Sequence, residues 1–213
     1  MVFLARYGNS IARYGSSMVG MGNYGEAEGG TISVDGSYKI HQFSSTGTFT
    51  MVLPTDCSIL ILGQGGNGGN KDGNWDGGGG GSAGICIQQN MFLNSNSYPI
   101  TFGSFPGGTV SFNGVDATGG GNGTNGIYSI NHGGNGGSNS QYSGAGYYAA
   151  NGGGGAGCAG NGALNIGGAG ITSLITGSSV VYGKGGNGGS GGYTAQNGFN
   201  GPAGIVIIRY KYI

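Results

Sequence analysis

Residues 72–77 read Asp-Gly-Asn-Trp-Asp-Gly, which sets oxygen-bearing side chains at Asp72, Asn74 and Asp76 and a glycine at Gly77. Hard oxygen donors at alternate positions, followed by a glycine for a sharp turn, form the opening of an EF-hand-type calcium loop. The last position of such a loop supplies a bidentate carboxylate, and here it falls on Ala83. The segment therefore carries two readings, a calcium loop short of one ligand and a polar surface loop, and the missing ligand favours the second.

Other chemistry is sparse. The chain has 2 histidines, His41 and His132, and 7 carboxylates, Glu26, Glu28, Asp35, Asp56, Asp72, Asp76 and Asp116. Asp35 belongs to a turn, Asp56 precedes a strand, and Glu26 and Glu28 fall in a linker, so no carboxylate pair is set up for glycoside cleavage. The string GQGGNGG at 63–69 is rich in glycine like a phosphate loop, but no Gly-Lys-Ser/Thr follows it. Cys57, Cys86 and Cys158 show no C-x-x-C spacing and read as small buried hydrophobes. The expectation is a protein without catalytic residues or a resident cofactor.

Aromatic side chains are the second concentration of chemistry. Trp75, Tyr128, Tyr142, Tyr147, Tyr148 and Tyr193 lie in polar, glycine-rich stretches, with His132 beside them, where no apolar core calls for them. Flat rings flanked by Asn and Ser suit stacking on sugar faces or gripping a protein loop at low entropic cost. The same rings could instead cap backbone that has no side chains of its own. Trp75, Tyr128, His132, Tyr142, Tyr147 and Tyr148 are the candidate receptor-binding residues.

Whatever positions these groups is built mainly from glycine. The 213 residues include 57 glycines and 4 prolines, more than twice the usual combined share of about 12%. Charged residues make up 7% and the formal net charge is +0, which leaves no basic surface for a nucleic-acid backbone. Arg6 and Arg13 interrupt the stretch where a signal peptide needs its apolar run, and no apolar run reaches the length of a membrane span. Neither secretion through a leader nor membrane insertion is expected.

The glycines keep a period of three. GGNGGSGGY at 185–193 repeats Gly-Gly-X, GGNGGN stands at 65–70, GGNGGS at 133–138, and 151–162 holds Gly154, Gly157 and Gly160 in the same register. Three residues per turn is the repeat of polyproline II, a conformation without internal hydrogen bonds, so buried backbone groups there need partners on neighbouring segments. Segments with β character surround these runs: 31–43, with Asp35-Gly36 as the turn of a hairpin, then 46–54, 57–63, 84–93, 97–103, 108–114 and 204–213. The expected fold is mostly β and irregular with little α-helix, a β-rich entry layer joined to a bundle or sandwich of polyglycine II helices. Residues 1–30, with Ala-Arg-Tyr-Gly at 5–8 and 12–15, read as a separate attachment or assembly arm, heptad-like or plainly extended, ahead of a glycine-rich domain at 31–213.

The order KIHQFSSTGTFTMVLP, CSILILGQGGNGG, YPITFGSFPGG, repeated GGNGG blocks and GPAGIVIIRYKY resembles the glycine-rich domain of bacteriophage tail-fibre and tail-tip proteins. The match spans about residues 39–213 and rests on Gly47, Phe49, Ile59 to Gly63, Gly103 and Gly204 to Tyr210. More loosely, the chain is similar to the tail-fibre adhesins of T-even-like phages. The resemblance implies a non-enzymatic virion protein of a tail fibre or tail tip, made in the host cytoplasm. It would contact a bacterial surface glycan or an outer-membrane protein and join other tail proteins as a homo-oligomer or as part of an oligomeric fibre. Residues 1–30 match no attachment module of that family. Two other readings stand beside it: a structural, self-assembling virion or filament protein, and an ice-binding protein. The Asn, Tyr, Lys and Asp at the X positions argue against the last, which would favour short, uniform residues.

Overall fold

The computed structural model describes residues 4–7, 10–13, 24–73, 76–127, 133–144 and 151–212. Near the N-terminus β1 (Leu4–Tyr7) and β2 (Ser10–Arg13) pair antiparallel, with Ala5 opposite Ala12. Ala5-Arg6-Tyr7 and Ala12-Arg13 thus sit in a β-pair, not on a heptad face. Residues 26–28, placed in the arm by the sequence, form β3 (Glu26–Glu28) on β6 (Gly47–Leu53), and Ala27 is buried.

Two five-stranded antiparallel sheets carry the core. One is ordered β4 (Thr31–Asp35), β5 (Tyr38–Phe43), β14 (Ile205–Lys211), β7 (Thr55–Leu62), β8 (Cys86–Leu93). The other is ordered β11 (Val115–Ala117), β10 (Val110–Phe112), β9 (Asn96–Phe102), β6, β3. Alternation decides which side chains meet. Ile59, Ile61, Val206, Ile208 and Tyr210 point from the first sheet onto Phe49, Met51, Ile100 and Phe112 of the second, all essentially without solvent exposure. Leu60, Leu62, Ile40 and Ile207 point the other way and pack with Ile175 in a second apolar cluster. Because β7 and β14 are covered on both faces, their sequences are continuous apolar runs instead of alternating ones.

The β4–β5 turn differs by one residue from its sequence signature. Asp35 pairs with Tyr38, so the two-residue loop is Gly36-Ser37, with Gly36 at φ +56°. Glycine in the first loop position is what a type II′ hairpin requires, whereas Asp-Gly would have filled a type I′ turn. A further pair, β12 (Ile171–Ser173) and β13 (Val180–Tyr182), sits between glycine segments.

The expected bundle or sandwich of polyglycine II helices is corrected by this architecture. Regular structure among the described residues is all β, in antiparallel sheets, and no helix occurs there. The physical reason is where apolar surface lies: glycine offers none to bury, so the core is assembled by the β-branched and aromatic strands. The glycine runs are extended connections between strands.

Those connections are held by lateral backbone bonds around one central segment, residues 77–83. Its N–H groups donate in rotation to three neighbours. Gly78 and Gly81 reach the carbonyls of Gln196 and Phe199, Gly79 and Ser82 those of Thr124 and Gly121, and Gly80 and Ala83 those of Gly153 and Ala156, at 2.8–3.1 Å. Its carbonyls accept from three more, with Gly77 and Gly80 bound by Gly134 and Gly137, Gly78 and Gly81 by Gly189 and Gly186, and Gly79 and Ser82 by Gly69 and Gly66, at 2.7–2.9 Å. Residues 76–84 are all buried. A Cβ on Gly79, Gly80 or Gly81 would strike the carbonyl oxygen of Asn135, Gly186 or Gly66 respectively. None of these glycines has a positive φ, so the residue is required for room and not for conformation.

Candidate functional site

The direction of each glycine segment follows from its bonds. Segments 64–70 and 77–83 are antiparallel, since Gly66 bonds Ser82 and Gly69 bonds Gly79. Gly120, Gly123 and Gly126 donate to Gln64, Asn67 and Asn70, so 120–126 runs with 64–70. Gly134 and Gly137 donate to Gly77 and Gly80, so 133–137 runs back. The same logic sends 185–189 outward and returns 196–202 to β14. Residues 71–73, 76, 126–127, 133 and 190–195 therefore all lie at the end of the array opposite the two sheets, with Asn151 beside them through its Oδ1, which accepts from Gly191 N–H at 2.7 Å. We call this the far end.

Of the sequence candidates, Asp72 and Asp76 are described and both stand at the far end, bridged by reciprocal backbone bonds of 3.0 and 3.4 Å. Tyr142 is half-buried at the opposite end. Its N–H donates to Asn139 Oδ1 at 2.7 Å, and Asn139 Nδ2 donates to the carbonyls of Ala83 and Gly157. Tyr142 is thus held in a turn against the sheet side of the array. Asn74, Trp75, Tyr128, His132, Tyr147 and Tyr148 lie outside the described residues.

The turn at 190–195 adds a residue that was not among the candidate receptor contacts. Tyr193 is 82% exposed there, on a turn closed by Ala195 N–H to Gly192 O at 3.0 Å and Gln196 N–H to Ser190 O at 2.8 Å. The signal was present as the place where the Gly-Gly-X triplet stops, between Gly192 and Gly198. Phe199, on the returning segment, is 58% exposed.

Asparagine, the favoured X residue, has a structural task that its type alone did not announce. The N–H groups of Asn67, Gly68, Asn70 and Lys71 donate to the Oδ1 atoms of Asn122, Asn200, Asn125 and Asn197 at 2.8–2.9 Å. A segment at the rim has fewer neighbours than the central one, and the carboxamide oxygen stands in for the missing backbone carbonyl.

Charged and titratable groups elsewhere among the described residues form separate local contacts. No three His, Cys, Asp or Glu side chains among the described residues could share a metal ion. His41 is buried between Phe49 and Tyr210, and burial lowers its pKa below 6.5. Burial pushes the Cys57 thiol and the Tyr210 hydroxyl each up to about 12. The Cys86 and Cys158 thiols act on each other, which raises Cys86 and lowers Cys158, and Cys158 Sγ donates to the Tyr182 carbonyl at 3.4 Å. Arg209 pairs with Asp35 at 2.8 Å and lies over the Tyr38 ring at 4.1 Å, which fixes the β4–β5 hairpin to β14. No helix among the described residues is long and apolar enough to cross a membrane. Compared with known proteins, the chain matches no family model and no curated protein.

Proposed function

We propose that the chain is a non-enzymatic adhesin of a bacteriophage tail fibre or tail tip, which presents the far-end turns to a bacterial surface glycan or outer-membrane protein. The supporting observation is that residues 71–73, 126–127, 133 and 190–195 stand together at one end of a laterally hydrogen-bonded array whose other end is anchored in the sheets. An array of this kind fixes the turns before contact, which lowers the ordering cost of binding. Tyr193 supplies an exposed ring at that end, of the kind that stacks on sugars or anchors a protein contact.

The test is binding of the purified chain to a panel of bacterial strains, with Tyr193→Ala and Trp75→Ala as probes. The proposal expects strain-selective binding and a loss of about thirtyfold for a hot-spot residue, with unchanged thermal unfolding. Absence of binding to every strain, or unchanged affinity in both variants, would overturn it.

A second reading, a self-assembling structural virion protein, draws on a different surface. Edge strand β4 exposes Ile32 and Val34 at 49% and 56% on the face that carries His41, and Leu174 and Val181, beside the cluster on the other face of that sheet, are 66% and 57% exposed. Both apolar patches belong to the sheet side of the molecule. Charged substitution at Val34 or at Val181 that abolishes oligomers, together with intact cell binding, would assign attachment to that patch and recognition to the turns. Loss of assembly with no cell binding by any form would favour the structural reading alone.

A further inference from the structure

Asp76 is 0% exposed, and neither carboxylate oxygen has a hydrogen-bond partner or an ion pair. An isolated buried carboxylate is among the costliest groups a fold can hold, and native proteins resolve it by pairing, metal binding or protonation. Protonation removes the charge but leaves a hydroxyl without an acceptor and a carbonyl without a donor. No side chain among the described residues hydrogen-bonds it, and a Cβ added at Gly126 would meet the Asp76 backbone and Cβ.

Asp72 is the second half of the arrangement. Asp72 and Asp76 exchange both backbone bonds, Asp72 N–H to Asp76 O at 3.0 Å and Asp76 N–H to Asp72 O at 3.4 Å. In such a directly opposed antiparallel pair the side chains share one face, with Cα atoms about 5.5 Å apart. Like charges placed there repel each other. The Asp76 carboxylate, buried and unpartnered with a second carboxylate on the same face of the bridge, is satisfied by a divalent ion with oxygen preference.

We propose that Asp76, with Asp72 beside it, binds a calcium ion that ties the 71–76 turn to the buried central segment at the far end. The site is not an EF-hand loop. Ala83, at the position of the bidentate ligand, is buried in the central segment and bonded to Ala156, and the Asp72–Asp76 bridge closes a short hairpin where an EF-hand keeps an open loop. The remaining coordination would come from backbone carbonyls and water, as is usual for calcium. The inference does not rest on the adhesin reading, because binding of an ion to the purified chain is measured without host cells.

The experiment is terbium luminescence and calcium-dependent unfolding of the full chain. Trp75 is the single tryptophan and precedes Asp76 in sequence, so excitation selective for tryptophan reads terbium bound at this turn. The expected result is saturable sensitised emission that calcium chloride displaces, lost in Asp76→Asn and weakened in Asp72→Asn. The unfolding midpoint of the wild type should rise by roughly 5 °C with calcium about a hundredfold above its Kd, relative to chelator, and Asp76→Asn should show no such rise. If Asp76→Asn does not fold, the wild-type titration and Asp72→Asn still decide. No sensitised emission and no midpoint change on adding calcium would overturn the proposal, as would an equal response in Asp76→Asn or a response to magnesium in place of calcium.

Discussion

The Tyr210 hydroxyl donates to His41 Nε2 at 3.1 Å, across 169 residues of chain. The direction follows from the other ring nitrogen: Nδ1 lies 2.7 Å from the Gly29 carbonyl, which can only accept, so Nδ1 carries the proton and Nε2 the lone pair. The imidazole is therefore neutral, stacked on Tyr210 and edge-on to Phe49. Burial is the main cause of its lowered pKa, Lys39 adds to it, and the Gly29 bond opposes it.

A pH dependence follows from this pair. The unfolded chain takes up a proton on His41 near 6.5, while the folded chain resists until a lower pH. Between those two values the unfolded state binds more protons, so stability falls as pH falls and is restored above 6.5. Urea unfolding at neutral and mildly acidic pH should show a falling midpoint in wild type and a flatter profile in His41→Asn, after the other titrating groups common to both are subtracted. Tyr210→Phe should cost about 1–2 kcal/mol at neutral pH by leaving Nε2 without a donor. Parallel pH profiles for wild type and His41→Asn would refute the assignment.

Glycine substitutions should divide by packing and not by backbone angle. Gly80→Ala places a methyl against the Gly186 carbonyl and Gly188→Val places one against the Gly152 carbonyl, backbone that cannot move aside. Each should cost more than about 4 kcal/mol and abolish soluble folding. At Gly160 the nearest atoms to an added Cβ lie at 3.6 and 3.7 Å, and Gly160→Ala should change stability by about 0.5 kcal/mol or less. A soluble, thermally unchanged Gly80→Ala protein contradicts the closed central segment.

Rim asparagines should behave as a set. Asn122→Ala and Asn200→Ala each strip the acceptor from one N–H, that of Asn67 or Gly68. The expected loss is about 1 kcal/mol apiece, measured by chemical denaturation. The double variant should fall short of or exceed the sum, because the two bonds hold adjacent residues of one segment.

The two coupled thiols make a chemical prediction. With Cys158 lowered by the neighbouring Cys86 thiol, its reaction with a small thiol reagent should inflect below the ordinary thiol value, since the thiolate is the nucleophile. Cys86→Ala removes the neighbouring thiol and should move the inflection upward toward 9.0, the ordinary value. An unchanged inflection in that variant would mean that another group sets it.

Strand positions were largely legible because β-branched residues cluster where both faces are covered. The run at 57–63 became β7 from Thr55, 204–213 became β14, and 84–93 became β8. Less visible were β11, which follows the Asn113-Gly114 turn after three residues of β10, and the pair β12–β13, each three residues long among glycines. The triplet period announced lateral bonding but assigned the wrong class to the fold, since the apolar core belongs to the sheets. At the far end, the turns were visible as interruptions of the triplet. Which of them share an end depends on segment direction, set by bonds between residues as distant as Gly68 and Asn200, and Tyr142 stands at the other end. The orphaned Asp76 carboxylate was equally hidden: the motif named the oxygens, and only packing shows that one of them has lost water.

The place of β14 between β5 and β7 has a kinetic meaning. Both flanking strands are joined to β14 and not to each other, so until β14 arrives each presents an open, strongly apolar edge. Every glycine segment intervenes in the chain between β7 and β14, and none can dock firmly before the sheet that anchors it is complete. Folding must therefore wait on contacts of very long sequence separation, which slows it and keeps aggregation-prone edges open meanwhile. A chain built this way gains from a helper that shields β5 and β7 until β14 closes the sheet.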